Sequence, residues 1–244
     1  MSYVHAEEIR QNVVQVAHMM HQRGYIGGLD GNISVWLGRN RFLCTPASTN
    51  KGFLNARDLV VVDLDGKAVQ GKGRPSSELA MHLLVYRERP DVQAVIHAHP
   101  QHCVACTLVG LTLTNPVVPE MAYSMGAVPT APYATPGTKE VPDSIEPYVK
   151  QADGILLARH GSLTMGTDLW EAYNRLEGLE HAAQILFLAR NLGELQPLND
   201  DQVARLRASV EARDLPWRYP NTWGADDLPF DEIIEAVVER LERG

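Results

Sequence analysis

Ala94-Val95-Ile96-His97-Ala98-His99-Pro100 is a short apolar run closed by proline, the pattern of a buried strand that stops where the next ladder donor is missing. Its two histidines stand two residues apart. On a strand both imidazoles therefore project from one face of the sheet, as two ligands of one ion must. A second run, Gly154-Ile155-Leu156-Leu157-Ala158-Arg159-His160-Gly161, reads as another buried strand ending on a third histidine, with Ser162 to Gly166 pairing back against it. Set side by side, these strands bring three imidazoles together. They leave one or two coordination positions for a carboxylate and a substrate, the open arrangement of a catalytic zinc site, and Glu78 is the carboxylate nominated. A His-x-His pair alone is more often exposed or simply hydrogen-bonded, so the metal reading needs support from the rest of the chain.

Residues Val4 to Arg23 repeat apolar side chains at helical spacing through Ile9, Val13, Val16, Met19 and Met20, and Gly24 stands where a helix stops. The glycine-rich Gly27-Gly28-Leu29-Asp30-Gly31-Asn32 leads into a strand from Ile33 to Trp36, whose hairpin partner is Arg41 to Cys44. Asp58 to Asp63 is a further strand closed by an Asp65-Gly66 turn. The pattern to this point is antiparallel. Lys72-Gly73-Arg74-Pro75-Ser76-Ser77-Glu78 is a basic loop whose serines suit a helix N-terminus, and helical spacing continues from Leu79 towards Pro90. Gln101 to Leu108 makes a brief helix, Pro129 to Gly137 an extended crossover. The longest helical pattern runs from Asp168 to Asn191, capped by Thr167 or Asp168 and stopped by Gly193; Asp200 to Ala212 forms another helix. Pro216 to Pro229 is rich in turn formers and tryptophan, and Phe230 to Arg243 forms a last helix. The organisation is one mixed α/β domain over residues 1–215 with a C-terminal extension over 216–244.

The 244 residues carry 22 Lys+Arg against 30 Asp+Glu, a formal net charge of -8. That balance offers no broad footprint for nucleic acid or an anionic membrane, so an anionic ligand must be held locally. The opening MSYVHAEEIRQ lacks the basic start and apolar core of a secretory signal, and no apolar run reaches about 18 residues, which gives a cytoplasmic reading. Cys44, Cys103 and Cys106 are too few for a disulfide framework, in keeping with a reducing compartment. Cys103 and Cys106 spell CxxC in an apolar stretch without a second such pair and read as small buried helix residues. His102 reads as a surface residue or a neighbour of the ligands. His5, His18, His21, His82 and His181 fall on predicted helices with no partner at ligand spacing and read as structural.

Six separated blocks stand in order along the chain: Gly31-Asn32-Ile33-Ser34, Thr45-Pro46-Ala47-Ser48, Pro75-Ser76-Ser77-Glu78, His97-Ala98-His99-Pro100, Ala131-Pro132-Tyr133 and Arg159-His160-Gly161. Together they resemble the class II aldolase/adducin family, within it the fuculose-1-phosphate aldolases, from about Val4 to Pro197. The resemblance implies a three-layer α/β/α sandwich around a mixed, largely antiparallel sheet, assembled as a homotetramer. It implies a divalent ion, Zn2+ with Mn2+ or Co2+ as alternatives, on His97, His99 and His160, with Glu78 as a further ligand or as the acid/base. Asn32, Ser48, Ser76 and Ser77 are implied to bind the phosphate of a sugar substrate. The residues agree with this, because Gly28 and Gly31 let backbone approach a ligand and a helix starting near Ser77 presents free N–H groups. Two departures stand out. Ser48 occupies a place where the family more often has glycine, and Glu120 rather than a tyrosine falls at the proton-handling position after the His-x-His block, with Tyr123 just beyond it.

The implied reaction is cleavage of a ketose 1-phosphate to dihydroxyacetone phosphate and an aldehyde through a metal-stabilised enediolate. Glu78 moves the proton at the enediolate carbon, and Glu120 or Tyr123 serves the aldehyde oxygen. Sugar-phosphate 4-epimerisation and decarboxylation of a 3-keto-acid phosphate are alternatives on the same platform. A non-catalytic adducin-like scaffold predicts lost ligands, whereas this sequence keeps all three histidines and the glutamate. The expected partner is a small phosphorylated sugar, with neither nucleic acid nor membrane. Trp217, Tyr219 and Trp223 in the extension read either as packing residues or as a cover for a neighbouring site.

Overall fold

A computed structural model describes residues 3–116 and 118–219. Its centre is an eight-stranded sheet in the order β4-β3-β2-β1-β5-β8-β7-β6, in which only the β6–β7 pair is parallel. The strands are β1 (Asn32–Gly38), β2 (Arg41–Cys44), β3 (Val60–Val62), β4 (Ala68–Gln70), β5 (Ala94–Ala98), β6 (Thr130–Ala131), β7 (Gly154–Leu157) and β8 (Gly161–Gly166). Seven α-helices stand among the described residues: α1 (Tyr3–Gln22), α2 (Leu79–Glu88), α3 (Gln101–Leu108), α4 (Pro119–Ser124), α5 (Glu140–Val149), α6 (Leu169–Leu192) and α7 (Asp200–Glu211).

Alternation along the strands sorts side chains into two apolar layers. Ile33, Val35, Ala94, Ile96 and Ala98 face α1 and α6, where Val13, Val16, Met20, Tyr173 and Leu176 close the core. Val95, Ile155, Leu157, Leu163 and Met165 turn the other way, onto Met81 and Val85 of α2 and Val141, Ile145 and Val149 of α5. The result is the expected three-layer α/β/α sandwich with a mixed, largely antiparallel sheet. His97 shares the parity of Val95 on β5, so it projects into the layer that α2 occupies.

The sequence-based reading of β1, β2, β5, β7, β8, α1, α2, α3 and α6 agrees with the structure to within a few residues. Asp168 caps α6 by accepting from the Glu171 N–H, as one of its two nominated caps. β4, α4, α5 and two short 3₁₀ turns, Lys51–Phe53 and Ala56–Asp58, had no counterpart in the reading, and β6 lies within what read as an extended crossover. Of the extension, Pro216 to Tyr219 is described; Trp223 and the helix expected over 230–243 lie outside the described residues. Arg218 anchors the described part, with its carbonyl accepting from the Ala127 N–H at 2.9 Å and its guanidinium paired with buried Asp153. The Trp217 and Tyr219 rings meet at a tilt of 43° with centroids 4.9 Å apart. No helix among the described residues is long and apolar enough to cross a membrane.

Candidate metal centre

His97 sits near the end of the central strand β5, paired across to Asn32 of β1 and Leu163 of β8. His99 follows two residues later, its N–H tied to the Tyr25 carbonyl at 2.9 Å. His160 stands in the β7–β8 turn, which closes tightly because Arg159 adopts a left-handed φ of 62° and the His160 N–H reaches back to Leu157 at 3.0 Å. Gly161 then passes directly beneath the imidazoles, where a Cβ would strike the Ala98 carbonyl and the rings of His99 and His97. Gly31 makes the matching approach from β1: its φ is 67°, and a Cβ there would collide with Ile26 and the His97 carbonyl.

The three rings form a near-equilateral triangle, with centroids 4.8, 4.8 and 4.9 Å apart. Their nearest ligand nitrogens all lie within 4.8 Å of one another. Glu78, at the head of α2, completes the group from the facing layer. Its Oε1 is 3.0 Å from His160 Nε2 and its Oε2 is 3.4 Å from His97 Nε2. Asn32 Nδ2 donates to the same Oε2 at 3.0 Å and to Ser76 Oγ at 3.3 Å, joining the cluster to the serine loop.

The donor chemistry fits a divalent cation. His97 Nδ1 lies 2.9 Å from the Ser162 carbonyl, an acceptor only, so this nitrogen carries the proton and Nε2 presents a lone pair. That Nε2 faces His99 Nε2 at 2.9 Å, and two lone pairs cannot share such a gap without a proton or a cation between them. Burial, which outweighs the neighbouring charges, pushes the fully buried His97 down to about 3, so its ring stays neutral and able to ligate. His99 is likewise lowered, by burial first and then by His160. Burial alone would raise the Glu78 carboxyl, but the hydrogen bond from His160 and the fields of the three imidazoles prevail and hold it at about 2, ionised. Three imidazoles and one carboxylate make a set that suits zinc and its borderline neighbours. Asp30 Oδ2 lies 3.6 Å from His99 Nδ1, on the ring edge turned away from the cluster.

The residues nominated for the anion divide. Asn32 is buried, and its Oδ1 has no hydrogen-bond partner among the described residues. Ser76 accepts from the Glu78 N–H at 3.3 Å, and the loop carrying Thr45 to Ser48 is held against the Lys72–Glu78 loop by a Pro46–Pro75 bridge and an Ala47 N–H to Arg74 carbonyl bond of 2.8 Å. Ser77 is exposed. Ser48 is exposed with φ at 52°, a left-handed conformation that favours glycine, so the backbone here keeps the shape a glycine would take.

Glu120 and Tyr123 are not brought to the histidines within one chain. Both lie on α4, where Glu120 is exposed, Tyr123 donates to Ser209 Oγ at 2.9 Å, and the Arg213 guanidinium covers its ring. Tyr123 lines a cavity with Arg89, Asp153 and Arg175, at the end of β5 and β8 opposite the histidines. Four strand residues separate those ends, about 13 Å.

His102 pairs with Glu180 at 2.8 Å, and Glu180 also accepts from the His102 and Cys103 N–H groups, capping α3. Cys103 and Cys106 are buried free thiols in that helix, as read. His82 is structural: its ring lies 2.8 Å from the Ser34 hydroxyl inside the sheet–α2 layer. Lys51 was not nominated. It is buried and bonded to the carbonyl of Leu29, the residue before Asp30, and nothing in its sequence neighbourhood signals that.

A family model described as "Class II Aldolase and Adducin N-terminal domain" matches residues 11–187, and the chain belongs to that family. It is 33% identical to an L-fuculose phosphate aldolase of Methanococcus maripaludis (strain C5) over 75% of this chain and 98% of the relative. It is 34% identical to the 3-oxo-tetronate 4-phosphate decarboxylase of Escherichia coli (strain K12) over 83% of this chain and 96% of that one. Among solved structures, YgbL of Klebsiella pneumoniae superposes with a TM-score of 0.77 at 33% identity, covering 83% of this chain and 99% of its own.

Proposed function

We propose that this family member is a divalent-metal-dependent aldolase that cleaves a ketose 1-phosphate into dihydroxyacetone phosphate and an aldehyde. The observation that carries the reading is the convergence of three imidazoles, from β5 and the β7–β8 turn, on the carboxylate at the head of α2. His97, His99, His160 and Glu78 would hold the ion, with zinc, manganese and cobalt as candidates. When bound, such an ion stabilises negative charge beside a polarised carbonyl.

The chain's own residues supply binding and proton transfer. Asn32, Ser76, Ser77 and the turn at Ser48 receive the phosphate, and because Asn32 bonds both Ser76 and Glu78 it sets the anion's place relative to the acid/base. Cleavage of the bond beyond the carbon next to the carbonyl leaves its electron pair on that carbon and turns the adjacent hydroxyl into an aldehyde. Glu78, ionised at rest and pinned by Asn32 and His160, takes up a proton from solvent and delivers it to that carbon. The hydroxyl's proton leaves to Glu120 or Tyr123, and since α4 lies at the far end of the sheet these would serve the site of a neighbouring copy in a cytoplasmic homotetramer.

One observation favours a second reading. Decarboxylation of a 3-keto-acid phosphate leaves an electron pair on an equivalent carbon and requires protonation there, yet needs no acid/base group at a leaving hydroxyl. The placement of α4 away from the histidines suits that reaction, as does the likeness to the decarboxylase over 83% of this chain. A panel of ketose 1-phosphates, a ribulose 5-phosphate epimer assay and 3-keto-acid phosphates, read for triose phosphate, epimer and carbon dioxide with and without chelator, separates the readings. Triose phosphate release that stops on chelation supports the aldolase; carbon dioxide alone supports the decarboxylase. Absence of turnover and of bound metal would restore the scaffold.

A further inference from the structure

Lys51 is the only buried lysine or arginine among the described residues, at 3% exposure. Its position is rigid. It opens a short 3₁₀ turn, Lys51–Phe53, capped by Asn50, whose side chain accepts from the Gly52 N–H at 2.9 Å. Gly52 lies so close to the His21 ring of α1 that a Cβ there would meet it at 2.7 Å. The ammonium donates to the Leu29 carbonyl at 2.7 Å, a neutral group, beneath the exposed loop that carries Asp30. Burial lowers its pKa, and the Asp30 and Glu78 carboxylates oppose that shift, so both act on it through space.

A buried ammonium costs several kcal/mol unless its charge is used, and holding one carbonyl asks only for a neutral donor. The cluster side of the pocket already carries the carboxylates of Glu78 and Asp30. A phosphate dianion arriving at Asn32, Ser76 and Ser77 would meet neutral donors only, because Lys72 and Arg74 are exposed and their charges are screened by water. A cation fixed inside the protein acts through a lower dielectric and loses little to screening.

We propose that Lys51 supplies the fixed positive charge of the phosphate subsite and so selects phosphorylated over unphosphorylated substrates. This rests on the sugar-phosphate reading of the site. The test titrates inorganic phosphate into metal-loaded wild-type protein, Lys51→Gln, which keeps a donor for Leu29, and Lys51→Met, which replaces the charge with an apolar chain of similar length. Both variants retain metal and fold, and phosphate binding weakens about tenfold or more, worth about 1.4 kcal/mol. The KM for a phosphorylated ketose rises in parallel, while that for its unphosphorylated counterpart is unchanged. Equal phosphate affinity in all three proteins, no phosphate binding by the wild type, or equal loss on both substrates overturns the proposal. Lys51-dependent phosphate binding in a protein that turns over no sugar phosphate supports Lys51 and overturns the aldolase reading instead.

Discussion

His97 is the most constrained of the four candidate ligands: fully buried, oriented through Nδ1 by the Ser162 carbonyl, and flanked by His99, His160 and Glu78. His97→Ala is expected to lower metal affinity at least 100-fold, with metal content and turnover falling together while circular dichroism is unchanged. Glu78→Gln keeps the imidazoles and the fold, and its turnover drops by about 10²–10⁴, the usual worth of a positioned proton donor. A His97→Ala protein with full metal content would refute the ligand assignment. At this scale the pair His97 and His99 was legible as a candidate from its spacing, while His160 and the metal reading itself needed the other blocks of the chain. Lys51 was not legible, since its burial depends on a turn docking against α1 and a loop folding over it. Glu120 and Tyr123 were offered for the aldehyde oxygen on the resemblance, but α4 carries both to the other end of the sheet.

The strands and helices build the site by layering, and the polar contact between β1 and α2 has a pH signature. The Ser34 hydroxyl lies 2.8 Å from His82 Nδ1 and 2.9 Å from the Tyr86 hydroxyl, and His82 Nε2 has no partner among the described residues. Burial, opposed weakly by the Glu78 carboxylate, pushes His82 down to about 3 from its ordinary 6.5. Between those values the unfolded chain binds a proton that the native chain does not. Stability from this group is therefore complete above about 6.5 and is lost as pH falls towards 3, at about 1.4 kcal/mol per pH unit. Urea midpoints of metal-free protein should drop between pH 7.5 and 5, and His82→Leu should flatten that slope by roughly one proton's worth; an unchanged slope would contradict the assignment. The elements that escaped the sequence carry weak patterns for identifiable reasons. β4 is exposed throughout, α4 spans six residues behind a proline, and α5 contains Pro142 in its first turn and Pro147 near its end. Apolar runs and alternation made β1, β5, β7 and β8 readable; β5 carries His97 and leads directly to His99, and β7 and β8 frame His160.

Across the whole molecule, the two ends of the sheet do different work. One end gathers the histidines, and the other gathers Arg89, Arg175 and Arg218 around the buried Asp153 carboxylate. Ending the chain at Leu215 removes Arg218 from that cluster along with its bond to Ala127. Such a protein should melt roughly 3–10 °C lower, the effect of a few kcal/mol in a chain this long, with its metal content unaltered. An unchanged melting temperature would show that the segment after Leu215 contributes nothing to the body. The central claim, that His97, His99, His160 and Glu78 form a metal-dependent lyase site, is tested most directly by sugar-phosphate carbon–carbon cleavage in protein as purified, after chelation, and after stoichiometric return of zinc, manganese or cobalt. The expected result is one divalent ion per chain, loss of product release on chelation, and recovery with one of the three ions. Undiminished turnover in fully metal-free protein would contradict it.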